Sequence, residues 1–167
     1  TILKYARGND FPRYDPDAPP NDTRGINTVF QATIRQGLSF DQIKKALDGL
    51  LNRNHIKTVE NAPSAALRSG LLAKMASSRD PILTVLHWSA PPTAANTGLH
   101  AVVALRAESG RIFFKNPQYA GSGAPASMVQ NSSVVNPPRR LDDPSQALES
   151  MGDNDLSSWV RAFYAPA

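Results

Sequence analysis

Apolar residues recur with one period in the first half of the chain and with another in the second. Between Arg24 and Gln36, Val29, Ala32 and Thr33 fall at helical spacing, with Ile26, Phe30 and Ile34 on an adjacent stripe. So wide an apolar surface predicts a central helix. Gly37 ends it, as glycine commonly does just past a C-terminal turn. Ser39-Phe40-Asp41-Gln42 then has the form of a capping box, in which Ser and Gln each satisfy a backbone N–H of the other. The helix that follows places Phe40, Ile43, Leu47, Leu50 and Leu51 on one face and runs to about Arg53. A third helix is predicted between Ser64 and Ser77, with Leu67, Leu71, Leu72 and Met75 inward.

At Pro81 the period changes. Pro81 to Trp88 is a continuous β-prone run and predicts a buried strand. A polar loop over 89–98 leads to a second strand, Leu99 to Arg106. Glu108-Ser109-Gly110 makes a turn, and Arg111 to Lys115 is a third strand alternating around Ile112 and Phe114. Residues 117–137 are rich in Gly, Ser and Pro and read as loop, with one further strand near Met128. Leu156, Trp159, Val160 and Phe163 resume helical spacing after the Asp153/Asp155 cap region, so residues 138–167 are expected to form a C-terminal helical tail. At the other end, Pro12, Pro16, Pro19 and Pro20 make residues 1–22 an irregular arm, with a short strand at Ile2, Leu3 and Tyr5. Helices first and an antiparallel sheet afterwards predict an α+β fold. With no internal repeat and no boundary, residues 1–167 are expected to be one domain.

Composition narrows the function classes. The chain has 167 residues, 41% of them hydrophobic, which suits one ordinary core. No run approaches the roughly 18 apolar residues of a membrane span, and Thr1 opens no signal-peptide pattern, so a soluble protein or a piece of a longer one is expected. Thr1 as an N-terminal nucleophile is a weaker reading than a simple cleavage boundary. The net charge of +4 gathers at Lys44, Lys45, Arg53 and Lys57 and at Arg139-Arg140. No aromatic residues interleave with these, so a solvated helix face is expected rather than a nucleic-acid surface. There are no cysteines, which excludes disulfides and thiolate metal sites. His55, His87 and His100 lack metal-ligand spacing and Asp142-Asp143 sits in a proline-rich loop, so neither metal nor cofactor is expected. Gly121-Ser122-Gly123 is not in a nucleophile-elbow frame.

The hairpin carries the chemical signal. His100 opens one strand and Asn116 closes the next. A tight turn around Glu108 is expected to pair Val102 with Phe114 and Ala104 with Ile112, which sets His100 opposite Asn116. Opposed residues have Cβ atoms about 4.5–5.5 Å apart. The asparagine can then accept a hydrogen bond from the imidazole N–H, fixing the tautomer and leaving the other ring nitrogen as a base. Taken singly, His100 is a polar residue at a loop edge and Asn116 a turn starter before Pro117. Their cross-strand placement is what separates the two readings.

Gly98-Leu99-His100-Ala101-Val102-Val103-Ala104 and Gly110-Arg111-Ile112-Phe113-Phe114-Lys115-Asn116-Pro117 resemble the histidine and Asn/Asp strands of papain-like cysteine peptidases. The likeness is greatest to the bacterial C39-like peptidases and papain-fold toxins and effectors. Arg24-Gly25-Ile26-Asn27-Thr28-Val29-Phe30 is similar to the papain-type stretch that opens the nucleophile helix, with Asn27 where the cysteine would stand. An alignment anchored on Gly37 puts Arg24 there instead. The resemblance covers roughly residues 20–120. It implies a central helix packed on a C-terminal antiparallel sheet, with His100 as base and Asn116 as its orienter. It also implies a peptide or protein substrate, a secreted or translocated bacterial protein, and an immunity or chaperone protein as partner. Trp88 is a candidate for the substrate groove. Gln118 is a second one, and as an alternative third catalytic group it would shift the reaction to glutamine deamidation.

That chemistry needs a thiolate beside the imidazole, and neither Asn27 nor Arg24 supplies one. In a related hydrolase system, loss of triad members leaves about 10³–10⁴-fold catalysis over water. Thr23 and Thr28 lie near the right place but match the arrangement poorly. The expectation is therefore a domain lacking its nucleophile, as an inactivated form or a pseudoenzyme. The rival is a binding module that uses the degenerate groove, as the cysteine-less peptidase-like domains of some bacterial export transporters do.

Overall fold

The computed structural model of the chain describes residues 38–87, 98–116, 132–136 and 148–167. Helix α1, Phe40–Leu51, begins at the capping box read from the sequence. Ser39 N donates to Gln42 Oε1 at 2.8 Å and Gln42 N to Ser39 Oγ at 3.2 Å. Asn52, with φ of 49°, ends it in the left-handed conformation. Helix α2, Ala65–Ser77, is capped by Ser64, whose Oγ accepts from Leu67 N at 3.0 Å. Leu67 and Leu71 are buried as expected, with Leu72 and Met75 packed beside them. Gly70 lets this helix approach the sheet, since a Cβ there would lie 3.3 Å from the Phe163 ring.

Seven strands form one sheet among the described residues: β1 (His55–Val59), β2 (Ile82–His87), β3 (Leu99–Glu108), β4 (Arg111–Lys115), β5 (Ser133–Asn136), β6 (Leu148–Gly152) and β7 (Val160–Pro166). Their order is β1-β7-β2-β3-β4-β6-β5, and every pairing is antiparallel. The expected α+β architecture is therefore observed, with the sheet as the dominant element. Helix α1 lays Phe40, Ile43 and Leu47 against Val85, Ala162 and Tyr164 on one face. On the other face, Leu67 and Leu71 of α2 meet Ile82, Leu86, Val102 and Phe114. Among the described residues no helix is long and apolar enough to cross a membrane.

The C-terminal tail differs from the expected helix. Only one helical turn, α3 (Leu156–Trp159), follows a 3₁₀ turn at Asp153–Asp155, and the chain then enters β7 between β1 and β2. Leu156, Trp159, Val160 and Phe163 do share one core. Helical spacing is not what joins them: a helical turn and a strand with a register shift between Val85 and Leu86 do so. Ala162 and Tyr164 point to the opposite core, the period-two signature that four apolar positions masked. Strands β1, β5 and β6 were likewise not predicted. In β6, Glu149, Ser150 and Met151 are all buried, so polar and apolar positions do not alternate. In β1, Ile56 is exposed while His55 is buried, an inverted pattern. The arm over 1–22, the helix over 24–36 and the strand near Met128 lie outside the described residues.

Leu71 is fully enclosed. Leu71→Ala should cost about 2–5 kcal/mol, read as a lower urea midpoint at unchanged slope. Ile56→Ala on the exposed edge should stay within about 0.5 kcal/mol.

Candidate active site

The β3–β4 turn is formed by two residues with positive φ, Ser109 at 51° and Gly110 at 71°. This is the two-residue hairpin turn whose twist suits the flanking strands. It pairs Glu108 with Arg111, Ala107 with Ile112 and Arg106 with Phe113. Continued without a break, that register would set Asn116 opposite Val103, on the face away from His100. The register shifts instead between Ala104 and Arg106, so that Ala104 pairs with Phe114 and Val103 with Lys115. Leu105 is the extra residue of a β-bulge, and one extra residue exchanges the faces of everything beyond it. Asn116 thereby joins the face of His100. The expected pairs Val102–Phe114 and Ala104–Ile112 do not form. His100 meets Asn116 as a diagonal neighbour rather than a directly opposed one, a separation that long side chains bridge.

His100 pairs with Leu86 in β2 and points with it toward the α2 side of the sheet. Its Nε2 lies 2.8 Å from Asn116 Oδ1. Asn116 Nδ2 donates to Glu149 Oε1 at 2.6 Å. Ser132 Oγ donates to Glu149 Oε2. His100 is 5% exposed, and Asn116 and Glu149 are 0% exposed. Glu149 reaches the site because β6 pairs with β4, setting it across from Phe114. Nothing in the sequence signalled it, since Leu148-Glu149-Ser150-Met151 carries no spacing that singles out an acid.

Four side chains, His100, Asn116, Glu149 and Ser132, thus form an ordered chain of hydrogen bonds. The Asn116 amide presents its NH₂ to Glu149 and its oxygen, which only accepts, to the imidazole. The Nε2 of His100 therefore carries the proton, and Nδ1 carries the lone pair of a base. Burial pushes the His100 pKa below its ordinary value, against the opposing effects of the Asn116 bond and the Glu149 charge. Burial thus favours the neutral ring over the imidazolium.

Asn27, Trp88 and Gln118 lie outside the described residues, as do Arg24, Thr23 and Thr28. His55 binds Asp48 Oδ1 through both its backbone N and its Nδ1, each at 2.9 Å, and ties β1 to α1. His87 follows Leu86 in β2, so its side chain leaves the opposite face of the sheet. Burial lowers its pKa and the charge of Arg161 adds to that. Among the described residues no group of three or more His, Cys, Asp or Glu could hold a metal ion. Compared with protein-family models, curated proteins and solved structures, the chain matches none.

For His87 and His100, the folded-state pKa lies below the ordinary 6.5. Near and below that value the unfolded chain binds more protons than the folded one, so stability rises with pH there. The contribution should be complete above pH 6.5 and lost progressively as pH falls below it. Urea unfolding at pH 7.5 and 5.5 should show the lower stability at 5.5, and His87→Gln should reduce the difference.

Proposed function

We propose that this chain is a papain-like cysteine-peptidase-type domain whose nucleophile position is vacant, retained as a groove that holds a peptide or protein. The observation that carries the reading is the buried His100–Asn116 bond. It holds the ring by Nε2 and directs the basic Nδ1 elsewhere. That is the division of labour a thiol–imidazole pair needs: one nitrogen oriented, the other deprotonated. In the active parent, Nδ1 would take the proton of a cysteine at the start of the helix that the sequence predicts over 24–36. The thiolate would attack an amide carbonyl, and the imidazolium would return the proton to the leaving amine. Position 27, or position 24 in the alternative alignment, is where that sulfur would stand. Because the chain holds no cysteine, covalent turnover through a thiolate is absent, which favours peptide holding over cleavage. A toxin or effector parent is the reading that the resemblance of the hairpin supports.

Restoring the cysteine tests this. Asn27→Cys or Arg24→Cys should give a thiol whose alkylation at pH 6 is about 10-fold faster or more than that of an unpaired thiol, because pairing with an imidazole lowers the thiol pKa. His100→Ala should abolish the enhancement, and the faster variant should hydrolyse a peptide amide. If neither position gives a fast-reacting thiol, the peptidase-type reading is withdrawn.

A further inference from the structure

We propose that Glu149 is the positioning residue of this site: its buried carboxylate sets the orientation of the Asn116 amide and, through it, decides which His100 nitrogen holds the proton. The inference rests on the reading of His100 and Asn116 as base and orienter for its catalytic meaning, but not for its geometry.

An asparagine beside a histidine does not by itself choose a tautomer. Its amide can present either oxygen or NH₂ to the ring, and the ring adjusts by protonating one nitrogen or the other. Here the far side of the amide is fixed. Glu149 Oε1 lies 2.6 Å from Asn116 Nδ2. A flipped amide would set two oxygens against each other at that separation with no proton between them. The carboxylate is itself held on its second oxygen by Ser132 Oγ. The strand register, with Phe114 opposite Glu149 and Lys115 opposite Leu148, fixes where it stands. Glu149 is 0% exposed, so water does not compete for the amide.

The charge has a second consequence. When His100 accepts a proton, the imidazolium lies one amide away from a buried anion. In the Ser-His-Asp triad the acid bonds the ring directly and stabilises the same cation. Here the acid acts through Asn116, so one neutral residue does the orienting and a charged one behind it supplies the field.

The test reads the ring directly in the intact chain. Nitrogen-15 NMR of His100 at a pH above its titration should show a protonated Nε2 and an unprotonated Nδ1. In Glu149→Gln, residue 149 can donate as well as accept, so the two tautomers should mix. The His100 titration midpoint should also move to lower pH, because the anion that favours the imidazolium is gone. An Nδ1-protonated ring in the unmodified chain would overturn the proposal. So would a Glu149→Gln variant with unchanged tautomer and midpoint, an outcome expected if the acid were merely structural. Should that variant fail to fold, the tautomer of the unmodified chain decides. No readout needs a thiol. A failed cysteine restoration with the expected His100 signals therefore leaves Glu149 in its role, and the reverse result removes Glu149 alone.

Discussion

A carboxylate removed from water loses solvation worth several kcal/mol, and only hydrogen-bond donors held in place can return it. Glu149 meets that demand with the Asn116 amide on one oxygen and the Ser132 hydroxyl on the other. The consequences run outward. The amide must turn its oxygen away from the acid, and that oxygen meets His100. Strand β6 must keep its register on β4, and β4 must carry Asn116 to the face where Glu149 waits. The bulge at Leu105 is the local device that makes these requirements compatible with a two-residue turn. Without it, Asn116 and His100 would lie on opposite faces of one sheet.

The polar network stands in an apolar frame. Ile82, Leu86, Val102 and Phe114 surround the site's face of the sheet, and α2 closes over them with Leu67 and Leu71. On the other face α1 packs through Phe40, Ile43 and Leu47, and Tyr164 Oη donates to Phe40 O at 3.0 Å. Strand β7 serves both layers, because Phe163 and Ala165 enter one core while Ala162 and Tyr164 enter the other. Buried on both sides, β7 supports β2, and β2 in turn pairs with the hairpin strand β3. That backing helps keep the His100–Asn116 bond in its geometry.

Much of this was legible along the chain. The capping box at Ser39, the inward faces of α1 and α2, the strand before His100 and the hairpin itself rest on interactions between residues a few positions apart. The approach of His100 to Asn116 was also foreseen, though by way of a direct pairing that does not form. A shift of two residues leaves a side chain on its original face, so the error in register did not disturb the meeting. Glu149 was not legible, because its partner lies thirty-three residues earlier and across a strand pairing. The C-terminal strand is not legible for a related reason. Trp159, Val160 and Phe163 suit a helix as well as a turn followed by a strand, and local spacing does not separate the two.

Thus the sequence by itself determined helices α1 and α2 with the capping box at Ser39, the tight turn at Ser109-Gly110, the mixed class of the fold and the absence of cysteine. These are consequences of residue type and near-neighbour geometry. Only the tertiary structure decided the place of β7 between β1 and β2, the bulge that aligns His100 with Asn116, and the buried acid behind them. Strand order and register are set by competition among distant segments for the same backbone hydrogen bonds and the same apolar face, and that competition has no signature in any short stretch of chain.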